Sequence, residues 1–108
     1  MKRSLRPPKT LSREARAWWK RMHLEYDLGD EGALFLLETA LTAFDRMRQA
    51  QKAIAEEGVT LRDRWGQAKA HPATILERDA RSGMLQAFKA LCLDVEPLHP
   101  RPGRQPGG

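Results

Sequence analysis

The chain has 108 residues, of which 31% are charged and 6% aromatic, with one cysteine and a net charge of +5. That length allows one small domain, near the low end of sizes that bury a self-sufficient core, and a helical chain of this make-up is expected to complete its core by oligomerising. Cys92 alone excludes an intrachain disulfide or a cysteine-rich zinc site; with no apolar run near the roughly 18–20 residues of a membrane span and no apolar stretch after Met1-Lys2-Arg3, a soluble cytoplasmic protein without a signal peptide is expected.

The positive charge sits at the N-terminus. Residues 1–21 carry eight bases against Glu14, residues 22–92 carry nine bases against eleven acids, and the remainder balances. Residues 1–11 are basic and contain Pro7-Pro8, so they read as a flexible arm. Ser12 is the expected N-cap of a first helix over about 13–26, with Glu14 in the first turn, where the helix dipole favours an acid. Ala15, Trp18, Trp19, Met22 and Tyr26 form an apolar stripe at 3,4 spacing, and Arg13, Arg16 and Lys20 form a basic stripe away from it. One face packs and another carries positive charge. The Trp18-Trp19 pair invites base stacking, but its place in the apolar stripe favours core packing.

Leu28-Gly29-Asp30 breaks this helix, and Asp30 caps the next, which is expected over about 31–57 and ends at Gly58 as a left-handed cap. Its N-terminal half is apolar over more than half the circumference: Ala33, Leu34, Leu36, Leu37, Ala40, Leu41 and Phe44. A helix with one partner needs a stripe only about 100° wide. The excess points to contacts within the subunit and with a neighbour; the alternative is a central helix in a monomer. Val59-Thr60-Leu61 favours extended backbone and Trp65-Gly66 supplies a turn, so 59–69 is expected to be a two-stranded hairpin. A lone hairpin is marginal in water and must lean on a helix or another subunit. His71-Pro72 opens a third helix, because proline suits the first helical position. Leu76, Ala80, Met84, Phe88 and Leu91 mark its buried face, and Ser82-Gly83 offers a place for close helix approach. Residues 94–108, rich in proline and glycine, read as a disordered tail.

Catalysis finds little support. His23, His71 and His99 lack ligand spacing, no nucleophilic triad or phosphate-binding glycine loop is present, and Glu77 and Asp79 point to different helix faces, where ion pairs with Arg78 and Arg81 are expected. No metal or cofactor is expected. Nucleic-acid binding fares better: Lys2, Arg3, Arg6, Lys9, Arg13, Arg16, Lys20 and Arg21 supply several phosphate contacts, an attraction that is independent of base sequence and sensitive to salt. The alternative is a solvated basic terminus. No helix-turn-helix pattern is clear.

Taken in order, these residues resemble a family, the small subunit of phage terminase in its short all-helical form. The resemblance runs from Pro7-Pro8-Lys9-Thr10-Leu11-Ser12 and Ala17-Trp18-Trp19-Lys20 through Glu56-Glu57-Gly58-Val59-Thr60. Its most specific part is Asp63-Arg64-Trp65-Gly66-Gln67, Lys69-Ala70-His71-Pro72 and Glu77-Arg78-Asp79-Ala80-Arg81, and it closes on Leu91-Cys92-Leu93-Asp94. It implies an all-α subunit, with a long central helix packed between the other two and a small β-hairpin between helices 2 and 3, assembled as a ring. It further implies a packaging factor without catalysis of its own, which binds double-stranded viral DNA at the packaging site and recruits and modulates the large ATPase–nuclease subunit in the cytoplasm of the infected bacterial host. Leu34, Leu37, Leu41 and Phe44, with Trp65, Arg64, Arg78 and Arg81 from the hairpin region and helix 3, are the expected contacts between copies. The rival readings are a dimeric DNA-binding regulator and a structural assembly module that never meets DNA.

Overall fold

The computed structural model describes residues 6–94, with side chains through Cys92. The elements are α1 (Arg13–Glu25), α2 (Glu31–Glu57), β1 (Thr60–Arg62), β2 (Ala68–Ala70) and α3 (Pro72–Asp94). Helices therefore dominate, with one two-stranded sheet between the second and third. The expectations for Lys2, Arg3 and the tail from residue 95 onward lie outside the described residues.

Each helix start uses the residue chemistry that the ends of helices require. The Ser12 hydroxyl oxygen accepts from the Ala15 amide at 3.0 Å and the Asp30 carboxylate from the Ala33 amide at 2.7 Å, satisfying donors that the first turn leaves without partners. Ser12 also reaches across to α2: its amide donates to one Asp45 oxygen at 2.8 Å and its hydroxyl to the other. The cap thus doubles as a tether between α1 and α2. Asp45→Ala is expected to lower stability by about 1 kcal/mol, the scale of a lost cap, seen as a lower urea midpoint with unchanged slope. Just before this cap, Leu11 folds into the core, its amide donating to the Pro8 carbonyl at 3.2 Å, so the packed chain begins ahead of the first helix.

α2 ends at Gly58, whose amide donates to the Ile54 carbonyl at 2.7 Å. Its φ of 85° is positive as expected, but its ψ of 168° is extended rather than left-handed helical, a combination essentially confined to glycine. That geometry sends the chain from the helix directly into β1.

α3 returns along α2, and the seam between them follows a seven-residue pattern. Ala33, Leu37, Ala40, Phe44, Met47 and Gln51 recur at 4,3 spacing on α2; Ala73, Glu77, Ala80, Met84, Ala87 and Leu91 do so on α3. The alanines at every seventh position of α3 let it approach α2 closely, while Leu37, Leu41 and Leu91 are fully buried. Trp19, Met22 and Tyr26 of the α1 region close the same core. Two sequence expectations change here. Leu76 is largely exposed, because the alanine seam rotates it off the contact, and Gly83 faces open space, so close approach rests on alanines instead. Within the seam, the Gln51 amide meets Glu77 at 3.4 Å, a polar layer of the kind that fixes helix register.

Candidate nucleic-acid and assembly surfaces

α1 buries Ala15, Trp19 and Met22 against α2 and turns Arg13, Arg16, Lys20 and Arg21 to solvent. Among the described residues none of these four bases makes an ion pair. The one acid in this stretch is withdrawn: Arg48 of α2 holds Glu14 through two 3.2 Å hydrogen bonds. Arg16 donates to the Lys9 carbonyl at 2.7 Å, which brings the segment before the helix, and with it Lys9, alongside the basic face. Arg6 is also exposed. Trp18 departs from expectation: it is 41% exposed rather than in the core, with the Arg21 guanidinium 5.0 Å from its ring centre. Trp18 falls at the edge of the stripe that Trp19 centres, and the cation over its face gives the ring a partner at the surface.

The basic face is held in place by a polar chain across all three helices. Glu14 pairs with Arg48, Arg48 donates to Gln51 at 2.8 Å, Gln51 donates to Glu77, and Arg81 donates to Glu77 at 3.0 Å. The hydrogen bond from Arg81 is the main cause that lowers the Glu77 pKa below the ordinary carboxylate value, and the same contact raises that of Arg81. Since the folded-state pKa of Glu77 is depressed, its contribution to stability is present above the ordinary carboxylate range and is lost as pH falls through the folded pKa. Glu77→Gln is therefore expected to be the less stable protein at neutral pH and to converge with the parent in acid, read from urea midpoints across pH; Arg81 is half exposed, so the gap is small.

The surfaces expected to join copies divide. Leu37, Leu41 and Phe44 are buried inside the single chain, and Leu34 is half-buried against the same core. Within the single chain Leu37, Leu41 and Phe44 are core residues, because α2 packs against both α1 and α3. Arg78 lies 3.6 Å from Asp79 and Arg81 pairs with Glu77, so both make contacts within the chain. Among the described residues the exposed large apolar side chains are Trp18 and Leu24 of α1, Phe35 of α2, Ile75, Leu76 and Leu85 of α3, and Val59, Leu61 and Trp65 of the hairpin.

The hairpin pairs Thr60 with Ala70, Leu61 with Lys69 and Arg62 with Ala68, and all six residues are exposed. Neither face of it is buried by the described helices. Its tip is nonetheless well built. The Asp63 carboxylate accepts from the Trp65 and Gln67 amides at 2.9 Å, the Gly66 amide donates to the Asp63 carbonyl at 2.9 Å, and Gly66 takes a φ of 78° that a side chain would disfavour. Lys69 lies 3.7 Å from Asp63, and Arg62 donates to the Gly66 carbonyl at 2.6 Å. The fixed loop holds Trp65 out in solvent, 72% exposed, with the Arg64 guanidinium 4.7 Å above its ring.

His71, the one buried polar residue of the described core, joins the hairpin to α3. Its Nδ1 accepts from the Ala73 amide at 3.0 Å, so the proton rests on Nε2, which donates to Glu57 at 2.6 Å. Its own amide donates to the Val59 carbonyl at 2.8 Å. One side chain therefore ties the end of α2 to the start of α3. Sequence reasoning placed Pro72 at the helix start but missed this cap, because histidine is not among the usual capping residues. Among the described residues no group of three or more His, Cys, Asp or Glu side chains is placed to hold a metal ion, and no helix is long and apolar enough to cross a membrane.

The family model of the phage terminase small subunit matches residues 15–96. The chain belongs to that family. The match spans nearly all of α1, the α2–α3 hairpin and the β-strands between them, so membership rests on the folded body rather than on the basic segment before it. Phage genome packaging is the process in which the small subunit of terminase takes part, and Arg16, Lys20 and Arg21 lie within the matched region. No curated protein and no solved structure matches the chain.

Proposed function

We propose that this terminase small subunit is a non-catalytic DNA-binding component that engages double-stranded viral DNA at the packaging site through the outer face of α1 and recruits and modulates the large ATPase–nuclease subunit. The observation that carries the reading is the uncompensated basic face: four bases on one side of α1, with the intervening acid drawn away by Arg48. Lys9 extends it, and Lys2, Arg3 and Arg6 precede it in sequence. A few phosphate contacts per subunit bind weakly. A homo-oligomeric ring presents many such faces to one duplex at high effective concentration, which converts weak contacts into avidity. The setting of this work is the cytoplasm of the infected bacterium, with no membrane partner.

A purely structural assembly module, and a dimeric regulator reading a short palindrome, make different predictions. If the proposal holds, the tagged large subunit of the same phage retains this protein on a column, and the retained complex captures duplex DNA. Retention without DNA capture favours the structural module. DNA capture by a stable dimer that ignores the large subunit favours the regulator.

A further inference from the structure

Two surfaces stand exposed among the described residues, and they are complementary. Along one flank of the α2–α3 pair runs an open groove of about 900 Å³, with Phe35, Ala43 and Leu76 among its lining residues. Phe35 and Leu76 stand 70% and 62% exposed at its opposite ends. Its charged lining is Glu38 and Asp79 against Arg46, with Arg78 3.6 Å from Asp79, so Glu38 is the acid most open to a partner. The hairpin tip offers the converse: an exposed indole stacked under Arg64, with Arg62 and Lys69 beside it and Asp63 as the single acid. All six strand residues are exposed, and Trp65 at the tip is 72% exposed among the described residues. A three-residue hairpin with both faces in water is marginal by itself, yet this one carries a hydrogen-bonded loop that fixes an aromatic anchor.

We propose that the Trp65 tip of one copy seats in the α2–α3 groove of the next, with the indole over Ala43 and Ala80, between Phe35 at one end and Leu76 at the other, and the bases of the tip facing Glu38 and Asp79. This deepens the oligomeric reading above and rests on it. The two surfaces are different parts of the molecule, so the contact is head-to-tail. Each copy then has one tip to give and one groove to fill, which closes into a ring if the rotation between copies permits and propagates otherwise. Buried aromatic anchors with a neighbouring arginine are the residue types that dominate such contacts. Interface energy concentrates on the tip, while the fully buried Leu37, Leu41 and Leu91 hold the single subunit.

The test uses the full chain with the exposed Cys92 changed to serine. Light scattering first gives the molar mass of the parent, expected to be a multiple of the 12.3 kDa chain. Trp65→Ala is then expected to weaken self-association by at least about 30-fold while leaving the helical circular dichroism unchanged, since the ring is 72% exposed and stacks only with its neighbour Arg64 among the described residues. Carrying Arg64→Cys and Gly83→Cys together, the chain should oxidise to a ladder of covalent dimers, trimers and higher species, whereas neither single variant does so. A monomeric parent overturns both the docking and the oligomer it rests on. An oligomeric parent that gives no ladder, or a ladder that stops at dimer, overturns the head-to-tail docking alone.

Discussion

Leu41→Ala or Leu37→Ala is expected to cost about 3–5 kcal/mol, enough to leave a subunit of this size substantially unfolded at room temperature. Both side chains are fully buried, and they sit in the half of α2 that α1 and α3 contact together. Truncation therefore leaves a void lined by three elements. Collapse around that void is opposed by the alanine seam: α3 is already at close approach through Ala73, Ala80 and Ala87, so it has little travel left to fill the space. Chemical denaturation of the variants checks this, with the midpoint shift giving the loss. The contrast is Leu76→Ala. If Leu76 packed in the core, as helical periodicity alone suggests, it would cost as much; being exposed, it is expected to change stability by under about 0.5 kcal/mol.

Reversing the charge of the α1 face is the second large effect. Arg13→Glu, Arg16→Glu and Lys20→Glu together should lower affinity for duplex DNA by about 100- to 1,000-fold near 0.1 M salt, since each lost phosphate contact removes close to one unit from the salt slope and the new acids repel the backbone. The fold tolerates the change because all three side chains point to solvent and none takes part in the Ser12–Asp45 tether or the Glu14–Arg48 pair. Arg16 gives up its bond to the Lys9 carbonyl, which frees the segment before the helix without touching the core. A control separates this face from net charge: Lys52→Glu with Lys89→Glu changes exposed bases on α2 and α3 and is expected to leave DNA binding within about threefold.

Much of the architecture was legible in the sequence because its local signals agree. Ser12 and Asp30 before periodic segments, Gly58 after one and Pro72 at the head of another each mark an end through a backbone requirement that the residue meets by itself. The hairpin was legible for the same reason, as Asp63 and Gly66 are the residues its turn demands. What escaped depended on the relative rotation of helices. Trp18 and Trp19 are equivalent to a periodicity argument, and their fates diverge because the core centres on the latter. Leu76 reads as core until the alanines at every seventh residue are seen to set the seam, small residues that an apolar tally undervalues. The broad face of α2 read as serving both its own chain and a neighbour; Leu37, Leu41 and Phe44 of it are buried by helices of the same chain. The polar chain from Glu14 to Arg81 and the histidine cap at His71 join residues far apart in sequence, and spacing carries no trace of such contacts. For the candidate site, the basic stripe was visible in advance; the withdrawal of Glu14 by Arg48 was not.

The role of the α1 face in holding DNA is tested most directly by the salt dependence of duplex binding, measured by fluorescence anisotropy for the parent and for the triple charge reversal at equal protein concentration. A steep fall of log affinity with log salt is expected for the parent, with the slope shallower by about three units for each engaged subunit in the variant. Equal affinities and parallel slopes for the two proteins would contradict it.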